Sequence, residues 1–250
     1  MIRFHLAGSV CVDAGFALLS ERELPGGQGR LLLAMLTLER RPIARDELLS
    51  ELWGDSPPRA WETSLRALVS KVRAALAGVG LGDPRTLVSA LGCYQLYLPS
   101  EVWVDVEAAS DAVHRAEGDL RDGRIEEAHG WALAAAAIAR RPFLIGADGP
   151  WASRRRRELH DVRVRALECR ASVATSRDDL GLAVRDLEEV VALDPFREAA
   201  YQGLMRAHAK AGNPAQALQV YERCRRLLAD ELGVGPSVDT EAMYLELLRR

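Results

Sequence analysis

The chain has 250 residues, 48% hydrophobic and 28% charged, with four cysteines and a formal net charge of −3. That balance excludes a disordered, collagen-like or disulfide-stapled protein, and it excludes binding to nucleic acid by bulk charge alone. The length accommodates one large domain or two ordinary ones.

Ile2, Phe4 and Leu6 alternate with polar or small neighbours, and residues 10–12 and 16–19 follow across Asp13-Ala14-Gly15, so short antiparallel strands are predicted. Pro25-Gly26-Gly27 breaks the pattern. In 30–40, Leu31, Leu32, Met35, Leu36 and Leu38 suit a largely buried helix. A second helix over 45–53 sets Leu48, Leu49 and Leu52 on one face and ends at Gly54, a C-cap residue; Asp55-Ser56-Pro57-Pro58 is a loop.

Residues 60–77 divide into two arcs at helical spacing. Leu65, Leu68, Val69, Val72 and Leu76 form a core face. Thr63, Arg66, Ala67, Ser70, Lys71, Arg73 and Ala74 form the other, with Glu62 as the acid near its start. Small, hydroxylic and basic side chains together can enter a groove lined by phosphates and base edges. Taken alone, such a face also fits a solvated helix surface. Its context is more specific: strands over 86–88 and 94–98, joined across 89–93 with Gly92 at the turn, close a hairpin behind it. A helix pair, a basic third helix and a hairpin make a winged helix-turn-helix.

From residue 102 onward the pattern is helical. Asp178-Asp179-Leu180-Gly181-Leu182-Ala183 and Gly212-Asn213-Pro214-Ala215-Gln216-Ala217 occupy equivalent places 34 residues apart, the period of a tetratricopeptide (TPR) repeat. An earlier copy spans 123–128, and 141–150 absorbs the excess length before the next. About three helix pairs and a closing helix over 238–250 are expected. Such a scaffold binds protein or effector and performs no chemistry.

Residues 31–38, Ile43-Ala44-Arg45-Asp46-Glu47-Leu48, Leu52-Trp53-Gly54-Asp55, Pro57-Pro58, Leu65 with Val69-Ser70-Lys71-Val72-Arg73, and Gly92-Cys93-Tyr94 resemble the OmpR-type domain of the Streptomyces antibiotic regulatory proteins (SARPs). The remainder, down to Ala215-Gln216-Ala217, Tyr221, 225–228 and Glu231-Leu232-Gly233-Val234-Gly235-Pro236, resembles their bacterial transcriptional activation domain. The resemblance implies an α+β winged helix-turn-helix over residues 1–99 followed by an all-α TPR-like helical-repeat domain over 100–250. It implies an activator of a secondary-metabolite (antibiotic) biosynthetic gene cluster, which binds direct repeats in double-stranded DNA as a homodimer and recruits RNA polymerase. Thr63, Ser64, Arg66, Ala67, Ser70, Lys71 and Arg73 are the DNA-binding candidates, and the loop residues Asp55, Ser56 and Arg59 the RNA polymerase contacts. Three departures from the family pattern stand out. Ala44 replaces a capping Ser or Thr, the turn 89–93 lacks an arginine, and Lys71 stands where Arg is frequent.

Other features point to no further chemistry. Cys11, Cys93, Cys169 and Cys224 are scattered with no CxxC, so four reduced, mostly buried thiols are expected. The five histidines never fall in metal spacing, and neither a nucleophile elbow nor a phosphate loop is present, so no enzyme, metal or cofactor is expected. No apolar stretch approaches the roughly 20 residues that span a bilayer, and no signal-peptide pattern opens the chain, so a cytoplasmic protein without membrane contact is expected. Arg154-Arg155-Arg156-Arg157 reads as a solvated or partner-binding face. Residues 1–99 hold 11 Lys/Arg against 10 Asp/Glu, so a DNA site there must be a local stripe. A TPR-based interaction scaffold whose winged helix does not bind DNA is the alternative reading.

Overall fold

Phe4, Leu6, Val10 and Val12 are all buried, and burying them draws the first strands together. In chain order these are β1 (Arg3–His5), β2 (Cys11–Asp13) and β3 (Leu18–Leu19). Then follow α1 (Gly26–Glu39), β4 (Ile43–Ala44), α2 (Arg45–Trp53), α3 (Trp61–Ala77), β5 (Leu87–Ala90), β6 (Cys93–Leu96) and β7 (Trp103–Val104). The rest is helical: α4 (Asp105–Arg121), α5 (Ile125–Ala139), α6 (Pro150–Ser176), α7 (Leu180–Leu193), α8 (Glu198–Lys210), α9 (Pro214–Leu232) and α10 (Val238–Leu248). These elements come from a computed structural model that describes residues 1–249; Arg250, the end of the helix expected over 238–250, lies outside the described residues.

Residues 1–109 and 138–160 form one compact unit, and 110–137 with the chain from 161 onward form a second. In the first, one sheet has the order β3-β2-β1-β7, antiparallel except where β7 joins β1 in parallel. The other has the order β4-β6-β5 and is antiparallel throughout. β4 and β7 were not expected, because a strand of two residues carries no readable alternation. The expected helix over 30–40 begins earlier, at Gly26. Pro25 occupies its N-cap, where a missing N–H costs no hydrogen bond, so the apparent breaker starts the helix. Glycine is required one turn later, since a Cβ on Gly29 would lie 2.3 Å from Pro25 Cγ.

Residues beyond the hairpin complete this unit. The Asp105 carboxylate, fully buried, accepts hydrogen bonds from the backbone N–H groups of Leu6 (2.9 Å), Ala7 (3.0 Å) and Val106 (2.8 Å). Burial pushes its carboxyl above the ordinary range, outweighing those three bonds. The stretch 141–150, extra to the repeats in sequence, belongs here: Gly8 N–H donates to Pro142 O at 2.7 Å. Trp151 is buried, its indole N–H donates to Glu39 at 2.6 Å, and its backbone N–H donates to Glu51 at 3.0 Å. Most of the arginine run is used in the same place. Arg154 and Arg155 face Glu39 at 3.7 and 3.0 Å, and Arg156 donates to the carbonyls of Phe143, Leu144 and Ala147. These arginines staple the unit internally, which the solvated or partner-binding reading did not foresee.

In the second unit α7 packs against α8, α8 against α9, and α10 against both α8 and α9. The helix pairs repeat one local device. Gly123, Asp178 and Gly212 each take a left-handed φ (74°, 62° and 76°), and five residues later Ala128, Ala183 and Ala217 are each 0% exposed. The turn reverses the chain, and an alanine lets the next helix approach its neighbour closely. Burial pushes the thiols of Cys169 and Cys224 up to about 12 and about 11, so neither supplies thiolate near neutral pH. Cys11 and Cys93 are half-buried. Among the described residues no helix is long and apolar enough to cross a membrane.

Candidate nucleic-acid interface

The arc division of α3 is realised residue by residue. Leu65, Leu68, Val69, Val72 and Leu76 are buried, whereas Thr63, Arg66, Ala67, Ser70, Lys71 and Ala74 are exposed and Ser64 and Arg73 are half-buried. The helix begins without a side-chain cap at Ala60. Its apolar face therefore holds it in place by burial, at roughly 1.5 to 3 kcal/mol for each large side chain.

The three cations of this helix differ in what they already bind. Arg66 Nη2 lies 3.0 Å from Glu62, an i,i+4 pair on the surface worth a few tenths of a kcal/mol, so it opens at little cost to a stronger anion. Arg73 Nη2 donates to the Leu87 carbonyl at 2.9 Å, tying the last turns of α3 to the first residue of β5. Lys71 lies exposed between them. Arg73 thus holds the hairpin to the helix, a role its place on the wheel did not disclose. The Glu62–Arg66 pair was readable from its four-residue spacing.

β5 and β6 meet in a two-residue turn, Leu91 (φ 51°) and Gly92 (φ 76°), both left-handed as the primed hairpin turns require. Leu91 is fully exposed and bears no charge. The turn is anchored from below, since Arg45 N–H donates to Gly92 O at 3.1 Å. Ala44, at the N-cap of α2, provides no side-chain cap, and Asp46 and Glu47 in the first turn supply the negative charge that the helix start favours. The loop between α2 and α3 presents Asp55, Ser56 and Arg59 to solvent. The structure thus brings the α3 candidates onto one face, Arg73 at its edge, and sets Asp55, Ser56 and Arg59 apart in the loop that precedes the helix.

Comparison with known proteins gives one family match and several long alignments. Residues 104–248 match the model of the bacterial transcriptional activator domain. The chain is 33% identical over 222 residues to the regulatory protein AfsR of Streptomyces coelicolor, which covers 89% of this chain and 22% of AfsR. It is 28% identical over 264 residues to the transcriptional regulator RedD of the same organism, 99% of this chain and 70% of RedD. Among solved structures, Mycobacterium tuberculosis EmbR in complex with a low-affinity phosphopeptide superimposes with a TM-score of 0.85 at 25% identity over 99% of this chain and 65% of that one. The chain therefore spans about a fifth of AfsR and about two thirds of EmbR. These relatives are regulators of transcription, and the EmbR likeness extends to the helical TPR-like part.

Proposed function

Because the chain belongs to the bacterial transcriptional activator domain family, and within it to the SARP-type transcriptional regulators, we propose that it is a cytoplasmic, sequence-specific DNA-binding activator of a biosynthetic gene cluster, with residues 1–99 as its winged helix-turn-helix. The observation that carries the reading is the exposed arc of α3, small, hydroxylic and basic along its length and opposed by a fully buried apolar arc. In this reading α3 is the recognition helix and lies in the major groove. Lys71 and Arg66 meet phosphates or guanines, and Thr63, Ser64 and Ser70 supply hydroxyl contacts. Ala67 lets the backbone come close, and Arg73 sets the wing. Two chains bind adjacent direct repeats, since one helix reads only a short half-site.

Binding to promoter DNA should weaken steeply with salt, because phosphate contacts release counterions. Lys71→Ala should lower the salt slope by about one. Arg73→Ala should lower affinity and thermal stability together, because it removes the donor to Leu87 O. Anisotropy titrations over a range of salt check this. Absence of binding at every ionic strength would leave the TPR-based interaction scaffold as the function.

The exposed loop residues Asp55, Ser56 and Arg59 form the RNA polymerase contact in this proposal. Asp55→Ala and Arg59→Ala should reduce transcription in a reconstituted assay while operator affinity holds. Loss of both activities would assign the loop to DNA binding or folding instead.

A further inference from the structure

Residues 87–96, the whole of the β5–β6 hairpin, hold no charged side chain, so attraction to phosphate does not bring this wing to DNA. Its tip is built unusually all the same. Among the described residues four other than glycine take a positive φ, and Leu91 (51°) is the one of these that is both apolar and exposed. The first position of a primed two-residue turn favours asparagine, aspartate or glycine, and a leucine there is strained by its left-handed backbone. Strain and apolar exposure both work against stability, and such outliers gather where function holds them. We infer that Leu91 is an apolar wedge that enters the minor groove beside the half-site and partly unstacks one base step, so that this chain selects its site by deformability as well as by base edges. The inference rests on the proposed DNA reading of α3.

A wedge works only if it is held. Arg45 fixes the hairpin from α2, its backbone N–H donating to Gly92 O at 3.1 Å and its guanidinium lying 5.9 Å from the centre of the Tyr94 ring. β4 pairs along β6, Ile43 with Tyr94 and Ala44 with Cys93, and Arg73 ties Leu87 to α3 at 2.9 Å. The neighbours of Leu91 are small and exposed, Ser89, Ala90 and Gly92, so the tip is narrow and one branched side chain leads it. The minor groove is about 6 Å wide, which admits that side chain but not a broader loop. With α3 in the major groove, a hairpin fastened beside it descends on the next minor groove, about half a helical turn or roughly five base pairs from the centre of the α3 contacts. Unstacking is least costly at pyrimidine–purine steps, TA and CA/TG. The preferred site therefore carries such a step at that distance, although no hydrogen bond reads it.

Random-sequence duplexes selected on the full wild-type chain, and separately on Leu91→Asn, give the test. Asparagine tolerates the left-handed turn, so the variant should melt no lower than wild type. It should nevertheless bind the wild-type-selected duplexes about tenfold more weakly at an unchanged salt slope, because a buried leucine is lost and no ion pair with it. The step enrichment should vanish from the variant's pool while the sequence read by α3 persists. 2-Aminopurine placed at that step should brighten when the wild type binds and stay quenched with Leu91→Asn. Leu91→Arg should regain affinity through phosphate, raising the salt slope by about one without restoring the step preference. Equal affinity and identical pools for wild type and Leu91→Asn would overturn the wedge and leave the α3 reading standing. Weaker binding with no change in step preference or 2-aminopurine signal would also overturn it, placing the leucine against the groove wall. A wild-type chain that enriches no sequence at any salt would remove the α3 reading, and the wedge with it.

Discussion

A fragment of residues 1–99 should unfold without a cooperative transition, or with one far below that of the full chain. By sequence pattern such a fragment contains a complete winged helix and folds alone. The structure makes three later contributions to the same unit. β7 closes the edge of β1, the Asp105 carboxylate accepts two buried N–H groups from residues 6 and 7, and Trp151 packs on the unit and bonds to Glu39 and Glu51. Leaving two buried donors without acceptors costs about 1 to 3 kcal/mol each, and losing a buried tryptophan costs about 3 to 5. The sum is comparable to the whole stability of a small domain. Thermal melts followed by circular dichroism give the answer. Equal midpoints for fragment and full chain would mean that these three contributions are marginal.

Trp151→Ala should be the most damaging single substitution, lowering stability by about 3 to 5 kcal/mol in urea titrations at unchanged m-value. Trp151→Phe keeps a ring but removes the indole N–H, and should cost about 1 to 3 kcal/mol as Glu39 loses a partner. Glu39 gives the same cluster a pH signature. Burial raises its carboxyl, but the hydrogen bonds from Trp151 and Arg155, with the charges of Arg155 and Arg41, outweigh burial and hold it below the ordinary range. A carboxyl lowered by folding stabilises the folded state above its unfolded value of 4.5 and loses that contribution as pH falls through the folded one. The stability gap between wild type and Glu39→Gln should therefore be widest at neutral pH and narrow on acidification. A gap that stays constant into strong acid would refute the cluster's electrostatic role. Asp105 works in the opposite sense: its raised carboxyl favours the folded state most below 3.8, and that contribution is lost as pH rises through the folded value.

What could be read beforehand follows from range along the chain. The two arcs of α3 were legible because seventeen residues sample the helical period nearly five times, and the helix-pair turns because Gly212 and Asp178 recur at a fixed interval. β4 and β7 were not, since two residues fit any period. Of the α3 candidates Thr63, Arg66, Ala67, Ser70 and Lys71 lie exposed as their place on the wheel implied, but Ser64 and Arg73 are half-buried, and the tie from Arg73 to Leu87 joins two elements whose pairing no local pattern encodes. The Glu39–Trp151 bond spans 112 residues and left no trace in either neighbourhood. It also redirected an arginine run that in isolation looked like open surface.

The identical turns of the helix pairs have a consequence at the level of the gene. Asp178 and Gly212 share a left-handed backbone, and the alanines five residues beyond them fill the same kind of slot. An unequal exchange with breakpoints in those two codons would delete or duplicate a unit of 34 residues while leaving every remaining helix whole. Recombination can thus lengthen or shorten this half by single events. In the first unit the closing bonds join residues about a hundred positions apart, so an excision that takes in either end of one removes a partner from a tertiary pair.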